Sequence, residues 1–259
     1  MDTFESKNAR AWDKMVQGRA PLARPATDRD FANPLRTVDP LGWLGESIQG
    51  WRVLCLAAGG GRQSALYAAA GADVTVLDIS REMLAQDAAV ARERKLKLRI
   101  VEGTMTDLSM FAAGDFDLVL QPVSSCYVPD VVVVYRQVAR LLQGGGLYVS
   151  QHKTPASLQV AAKPSSAGYV IDETYYRTAP LPPATEPSRL REVGATEYLH
   201  RWEQLIGGLC RAGFVVEDLI EPAHAEADAE RGTFAHRAQY IAPYVRIKAR
   251  RVGERGLIR

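Results

Sequence analysis

Cysteine is scarce in this 259-residue chain, with three residues at positions 55, 126 and 210. An odd number cannot pair completely, and no two stand in a C-x-x-C spacing. A disulfide-stapled secreted scaffold and a zinc ribbon are thereby excluded, and a reducing, cytoplasmic setting is expected. A dominant sign of charge is also lacking: 32 Lys+Arg stand against 30 Asp+Glu, for a net +2. The one basic run, Arg246, Lys248, Arg250, Arg251, Arg255 and Arg259, faces only Glu254 and has no stacking aromatics after it. It reads as a solvated strand and tail, so no nucleic-acid partner is expected. No apolar run approaches the roughly 18 residues of a membrane span. Met1-Asp2-Thr3-Phe4-Glu5 has neither a basic n-region nor an apolar h-region, so no signal peptide is expected.

What is present suits a globular protein. Hydrophobic residues make up 47% and charged residues 24%, a balance that excludes collagen-like and wholly disordered chains. From 50 to 152 short apolar runs alternate with helical patterns. Strands are expected at Arg52–Leu56, Asp73–Leu77, Lys97–Val101, Phe116–Leu120 and Leu147–Ser150. Helices are expected over 62–70, from an N-cap at Ser80 to about Arg94, and over Val131–Leu142, with Gly144-Gly145-Gly146 as the stop. Such alternation implies an α/β fold, a doubly wound parallel sheet with helices on both faces. Four prolines between 180 and 187 and the pair Tyr175 and Tyr176 mark 153–195 as an irregular cap insertion. A helix over 196–211 and strands at Phe214–Leu219 and Gln239–Lys248 follow. Residues 1–49 read as a helical lid, 50–152 as the ligand-binding half, 196–259 as the rest of the sheet, all in a single domain.

The chemistry gathers after the first strand. Ala57-Ala58-Gly59-Gly60-Gly61 lies between strand and helix, where a small-residue turn lets a ligand approach the backbone and the helix offers N–H groups to an anion. Asp78 ends the second strand, where an acid accepts two hydrogen bonds from a ribose diol. The dinucleotide pattern G-x-G-x-x-G fails at Ser64, and no G-K-[ST] follows the glycines.

The spacing of Ala57, Gly59 and Gly61 instead resembles motif I of the class I S-adenosylmethionine-dependent methyltransferases. Gly103-Thr104-Met105-Thr106-Asp107-Leu108 resembles the segment after strand three, where that family contacts adenine. Phe116-Asp117-Leu118-Val119, the run Val138–Gly146 and Ala212-Gly213-Phe214 extend the likeness. A bacterial subgroup is similar in Cys55–Gly61, in Val128-Pro129-Asp130, and in Tyr198-Leu199-His200 before Ile206-Gly207-Gly208. The resemblance implies a Rossmann-like, mostly parallel sheet with an antiparallel last strand, and S-adenosyl-L-methionine as cofactor, released as S-adenosyl-L-homocysteine. It implies cofactor contacts from Ala57, Gly59, Gly60, Gly61, Asp78, Ile79 and Met83. Beyond strand three it implies Thr104, Met105, Thr106, Asp107, Gln121 and Ser124. Three positions depart from the family pattern: Cys55 and Thr104 replace acids, and Ala57 replaces a glycine at little cost where its φ is negative.

Methyl transfer is an in-line displacement that depends on proximity and alignment, so no triad is required. His152 at the end of strand five, His200 on the helix beside the cap, and Tyr127 after strand four are the candidates for proton transfer or orientation. His224 and His236 bracket Glu226, Asp228 and Glu230, but the acidic run reads as an exposed loop, so no metal is expected. The expected partner is a small-molecule acceptor, with no membrane, and the chain a monomer or homodimer. A cofactor-binding protein without transfer, suggested by Cys55, Ala57 and Thr104, stays open. A protein or RNA methyltransferase stays open too, although near-neutral charge and the lack of an Asn/Asp-Pro-Pro-Tyr tetrapeptide count against it.

Overall fold

Val53 and Cys55 point to one side of the first strand and Leu54 and Leu56 to the other, and all four are buried, as in a strand covered on both faces. The computed structural model describes residues 3–186 and 188–253. Glu254, Arg255 and Arg259 of the expected basic tail lie outside the described residues. In chain order the elements begin with α1 (Phe4–Gln17), α2 (Asp28–Phe31), α3 (Pro34–Val38), β1 (Arg52–Leu56) and α4 (Gln63–Ala69). Next come β2 (Asp73–Asp78), α5 (Arg81–Arg94), β3 (Leu98–Glu102), β4 (Phe116–Gln121), α6 (Val131–Leu141) and β5 (Leu142–Lys153). After α7 (Pro155–Gln159) the chain runs through α8 (Gly208–Arg211), β6 (Phe214–Ile220), α9 (Phe234–Arg237) and β7 (Tyr244–Arg251).

The described strands form one seven-stranded sheet in the order β3-β2-β1-β4-β5-β7-β6. The first five are parallel, and β7 runs antiparallel to both β5 and β6. One core holds Leu54, Leu56, Val119 and Tyr148 against Val131, Val134 and Tyr135 of α6. The other holds Val53, Cys55, Val76 and Leu118 against Ile48, Tyr67 and Leu84. Chain order reverses direction between β1 and β4, which opens a crevice at the carboxyl ends of these strands.

Three expected boundaries move. The helix expected over 196–211 starts only at Trp202, because the preceding backbone bonds elsewhere: Tyr198 N–H donates to the Cys126 carbonyl at 2.7 Å, and Leu181 N–H to the Glu197 carbonyl at 2.7 Å. His200 therefore lies on a segment without regular secondary structure and not on a helix. The last strand begins at Tyr244 rather than Gln239, since Pro243 has no N–H to pair and α9 with its turn occupies the residues before it. The triple glycine is not a helix stop. It forms a bulge inside β5, where the partner of Phe116 is Leu142 and that of Leu118 is Leu147.

Ala57 also departs from expectation. Its φ is +48°, in the left-handed region that costs an L-residue roughly 1–2 kcal/mol. The turn is imposed from outside, since Ala57 N–H donates to the Leu77 carbonyl at 2.8 Å. Ala57→Gly should raise stability by about 0.5–1 kcal/mol in urea unfolding, after the greater chain entropy of glycine is subtracted. A fall in stability would show that the alanine methyl contributes more packing than its backbone costs.

Candidate active site

A cavity of about 360 Å³ lies over the carboxyl ends of β1 to β5. Its floor follows the strand order: Gly103, Thr104 and Met105 after β3, Asp78 and Ile79 after β2, and Ala57 to Gly60 after β1. Pro122, Val123, Ser124, Tyr127 and Val128 continue it after β4, and Gln151 comes from β5. The opposite wall is α1, which presents Phe4, Glu5, Asn8 and Trp12 on one face. Thr3 caps that helix by accepting from Ser6 N–H at 3.2 Å.

Asp78 is 8% exposed and lines the cavity. Its Oδ2 accepts from Gly59 N–H and its Oδ1 from Ser80 N–H, each at 2.9 Å. Burial pushes its pKa up, opposed by these backbone donors. A carboxylate has about four lone-pair sites, so Asp78 keeps acceptor capacity for a diol. The glycines are shaped mainly by packing. A Cβ on Gly59 would stand 2.9 Å from Met83 Cβ and 3.1 Å from Asp78, closing the floor of the cavity. Gly61, at φ +69°, would drive a Cβ to 2.8 Å from Val90 and 3.0 Å from the Gln86 carbonyl. It lies outside the cavity lining, so its smallness serves the seating of α5.

The residue that fixes this loop is Asp87 of α5, which the sequence reading did not single out. Its Oδ2 accepts from Gly60 N–H at 2.9 Å and its Oδ1 from Gly61 N–H at 3.0 Å, with the Ser64 hydroxyl as third donor. It has no exposed surface. The signal was an acid at helical spacing between Met83 and Val90 on the apolar face of its helix.

At the β3 end, Glu5 Oε1 accepts from Thr104 Oγ1 at 3.1 Å and Thr106 Oγ1 at 3.2 Å. Asp107 is exposed and accepts from Ser109 N–H at 3.0 Å, so Thr106 and Asp107 both stand outside the lining. Gln121 is also outside. Fully buried, it donates to Ser124 Oγ at 2.9 Å and to Met105 Sδ at 3.3 Å, positioning two residues that do line the cavity.

At the β4–β5 end, Lys153 lies in the interior with Nζ 2.7 Å from Glu192 Oε2 and 2.6 Å from Glu197 Oε1. Burial works against its ammonium, and the two carboxylates overcome it, so its pKa rises. Glu192 lines the cavity beside Tyr127. The Tyr127 hydroxyl is buried beside the Glu192 carboxylate, and its ring meets Trp12 edge-on at 6.0 Å between centroids. Burial, and then the Glu192 charge, raise the Tyr127 pKa.

Comparison with known proteins decides the family. Residues 54–150 match the family described as methyltransferase domain. The chain is 32% identical over 235 residues to an uncharacterized methyltransferase, YbaJ, of Bacillus subtilis, covering 85% of this chain and 91% of that one. The chain belongs to the class I S-adenosylmethionine-dependent methyltransferases. A ubiquinone biosynthesis O-methyltransferase of Bordetella avium is 30% identical over 168 residues, covering 62% of this chain and 64% of that protein. In fold, an S-adenosylmethionine-dependent methyltransferase from Mesorhizobium loti superposes with a TM-score of 0.65 at 22% identity, over 83% of this chain and 98% of the other.

Within the methyltransferase cavity stand Ala57, Gly59, Gly60, Asp78, Ile79 and Met83 of the residues read from sequence. Thr104, Met105, Ser124 and Tyr127 stand there as well. The two histidines do not. His152 shares hydrogen bonds with Ser125 Oγ through Nδ1 at 2.7 Å and with Ser150 Oγ through Nε2 at 2.8 Å. Burial lowers its pKa to about 3. His200 Nε2 bonds the Ser125 carbonyl at 2.9 Å, and burial lowers its pKa as well. Both are neutral braces for the turn after β4.

The aromatics of the insertion also stay away from the cavity. Tyr169 bonds His236 Nδ1 at 2.9 Å, Tyr176 is 75% exposed, and Leu181 packs on Leu158 and Leu199. Among the described residues of 153–195, Glu192 is the one that lines the cavity. Among the described residues no group of three or more His, Cys, Asp or Glu could hold a metal ion. Among them too, no helix is long and apolar enough to cross a membrane.

The methyltransferase loop should report its clamp through pH. Burial raises the Asp87 pKa from 3.8 to about 6, against the pull of Ser64, Gly60 and Gly61. The folded state therefore binds a proton more tightly than the unfolded chain. The stabilisation this gives is complete below about pH 4 and is lost as pH rises through about 6. In urea melts the wild type should lose ground to Asp87→Asn between about pH 4 and 7, by on the order of 3 kcal/mol. A difference independent of pH would show that Asp87 does not titrate in this window.

Proposed function

We propose that this methyltransferase carries the methyl group of S-adenosylmethionine to a hydroxyl oxygen of a small aromatic molecule. The carrying observation is the β4–β5 end of the cavity. Trp12, Val123, Tyr127 and Val128 make its walls apolar and aromatic, and between them stand one carboxylate, Glu192, and the buried Tyr127 hydroxyl. Apolar walls with a few placed polar groups are the common form of a small-molecule site.

When bound, the cofactor supplies a methyl group activated on a sulfonium. Asp78 accepts the ribose hydroxyls, Gly59 and Gly60 permit close approach, and Ile79, Met83 and Met105 give apolar contact. At the other end the acceptor hydroxyl lies between Tyr127 and Glu192. Its proton goes to Glu192 Oε1, the oxygen that Lys153 does not hold, as the oxygen–carbon bond forms and the methyl–sulfur bond breaks, its electron pair staying on sulfur. Helix α1 and Leu22 exclude water from the space between. The Bordetella avium relative, named an O-methyltransferase, supports an oxygen acceptor. The net charge of +2 supports a small molecule over a polyanion, and three unpaired cysteines suit a reducing, cytoplasmic setting.

Two measurements test this. Asp78→Ala should weaken S-adenosylhomocysteine binding in titration calorimetry by about 1.5–3 kcal/mol, the range for hydrogen bonds to a charged group. Unchanged affinity removes Asp78 from the cofactor site. With methyl-labelled cofactor and a panel of phenols, aromatic amines, aryl thiols and casein, label should enter the phenols. In the phenol reaction Glu192→Gln should slow turnover about tenfold or more, while cofactor product binds as tightly as before. Label confined to amines, thiols or protein overturns the oxygen assignment.

A further inference from the structure

Glu5 is drawn to the β3 end of the cavity by two hydroxyls that converge on one of its oxygens, Thr104 Oγ1 at 3.1 Å and Thr106 Oγ1 at 3.2 Å. The two hydroxyls are themselves 2.9 Å apart, so the three side chains form a closed cluster. Glu5 nonetheless lines the cavity, and Oε2 is the oxygen these hydroxyls do not engage. The helix that carries it is latched at two further places. Asn8 Nδ2 donates to the Tyr127 and Thr196 carbonyls at 3.1 and 3.2 Å, and Asp13 accepts from Ser80 Oγ at 2.6 Å. A carboxylate held this firmly at a cavity edge is preorganised to receive a hydrogen-bond donor.

The strand order says which part of a nucleoside meets it. The ends of β3, β2 and β1 lie side by side, so a ligand whose ribose rests on Asp78 of β2 has neighbours on two sides. On the β1 side are Gly59 and Gly60, whose N–H groups are held by Asp78 and Asp87, and the polar side chains of Arg62 and Gln63, which suit a zwitterionic tail. Toward β3 are the apolar Ile79 at the end of β2 and Met105 after β3, which suit the faces of a purine. Among the described residues lining that side, Glu5 is the one with a side-chain carboxylate. Thr104 already donates its hydroxyl proton to Glu5, and Asp107 is turned to its own loop.

We infer that Glu5, brought in by the first helix, is the carboxylate that accepts the exocyclic amine of the cofactor's adenine. Helix α1 is then part of base recognition and not only a cover. The inference rests on the proposed seating of the ribose on Asp78. Hypoxanthine carries a carbonyl in place of the amine, so a fixed carboxylate opposes it and the site rejects inosyl compounds.

The test is titration calorimetry of the full chain with S-adenosylhomocysteine and with S-inosylhomocysteine. The wild type should prefer the adenosyl compound at least tenfold. Glu5→Ala should bring the two affinities to within about threefold, by weakening the adenosyl compound and not the inosyl one. Glu5→Gln, which keeps the side-chain length and can turn its amide toward either base, should do the same and guards against a loss of helix docking. A wild type that binds both alike, or variants that weaken both equally, overturn the inference. Asp78→Ala separates the two readings: if it leaves adenosyl binding intact, the ribose seating has failed. If it weakens binding while the base preference ignores Glu5, the base assignment alone has failed.

Discussion

The clamp of Asp87 on the backbone of Gly60 and Gly61 is the constraint on which the cavity depends. A carboxylate with no exposed surface is costly to bury, and three donors offset that cost. Because two of the donors are consecutive N–H groups of a loop, satisfying the acid fixes the loop. Gly60 at φ +113° and Gly61 at φ +69° then follow, and the chain turns tightly enough to enter α4 without covering the end of β1. Asp78 is tied to the same turn through Gly59, so β2 and the loop keep their relative position. The floor of the site is thus set by two buried acids that hold backbone, one of which also faces the cavity.

The remaining walls come from segments outside the sheet, each anchored by a buried polar contact. Asn8, 3% exposed, donates to the Tyr127 carbonyl in the turn after β4 and to the Thr196 carbonyl, and accepts from the Thr196 N–H in the segment before Trp202. Lys153 binds Glu192 and Glu197, and Arg191 Nε reaches Glu197 at 2.6 Å. This network brings an otherwise irregular segment to the end of β5. A buried ion cluster is weak support for stability but a strong constraint on register, since displacing one partner leaves the others uncompensated. Glu192 owes its place in the cavity to that constraint.

The sheet was legible because it rests on alternation and punctuation, which are local. Leu54 and Leu56 against Val53 and Cys55, Ser80 as a cap, and Asp78 at a strand end are all readable from neighbours in the chain. The site was legible only where it is built on those strands. Glu5 and Glu192 reach the cavity from 73 residues before and 114 residues after Asp78, by chain numbering, through pairings that no local pattern encodes. His200 misled because a helix was expected from Thr196, whereas the carbonyl of Cys126 takes the N–H of Tyr198 and keeps it out of a helix. Ala57 misled in the other direction: a residue without a glycine's freedom occupies a left-handed position because the Leu77 carbonyl is waiting for its N–H.

Proton handling in the cavity is narrowed by the same burial that shapes it. His152 is held neutral with both ring nitrogens bonded, and His200 is pushed the same way. The thiols of Cys55 and Cys126 are raised by burial out of the reactive range. What faces the ligand space is carboxylate, from Glu5, Asp78 and Glu192, together with a phenol whose pKa is raised. Under the proposed reading, a carboxylate is a weak base toward a hydroxyl, so the cavity selects acceptors by acidity as well as shape. A phenol gives up its proton far more readily than an aliphatic alcohol, and aromatic walls admit it. The absence of a histidine base and the presence of Trp12 and Tyr127 therefore favour the same class of acceptor.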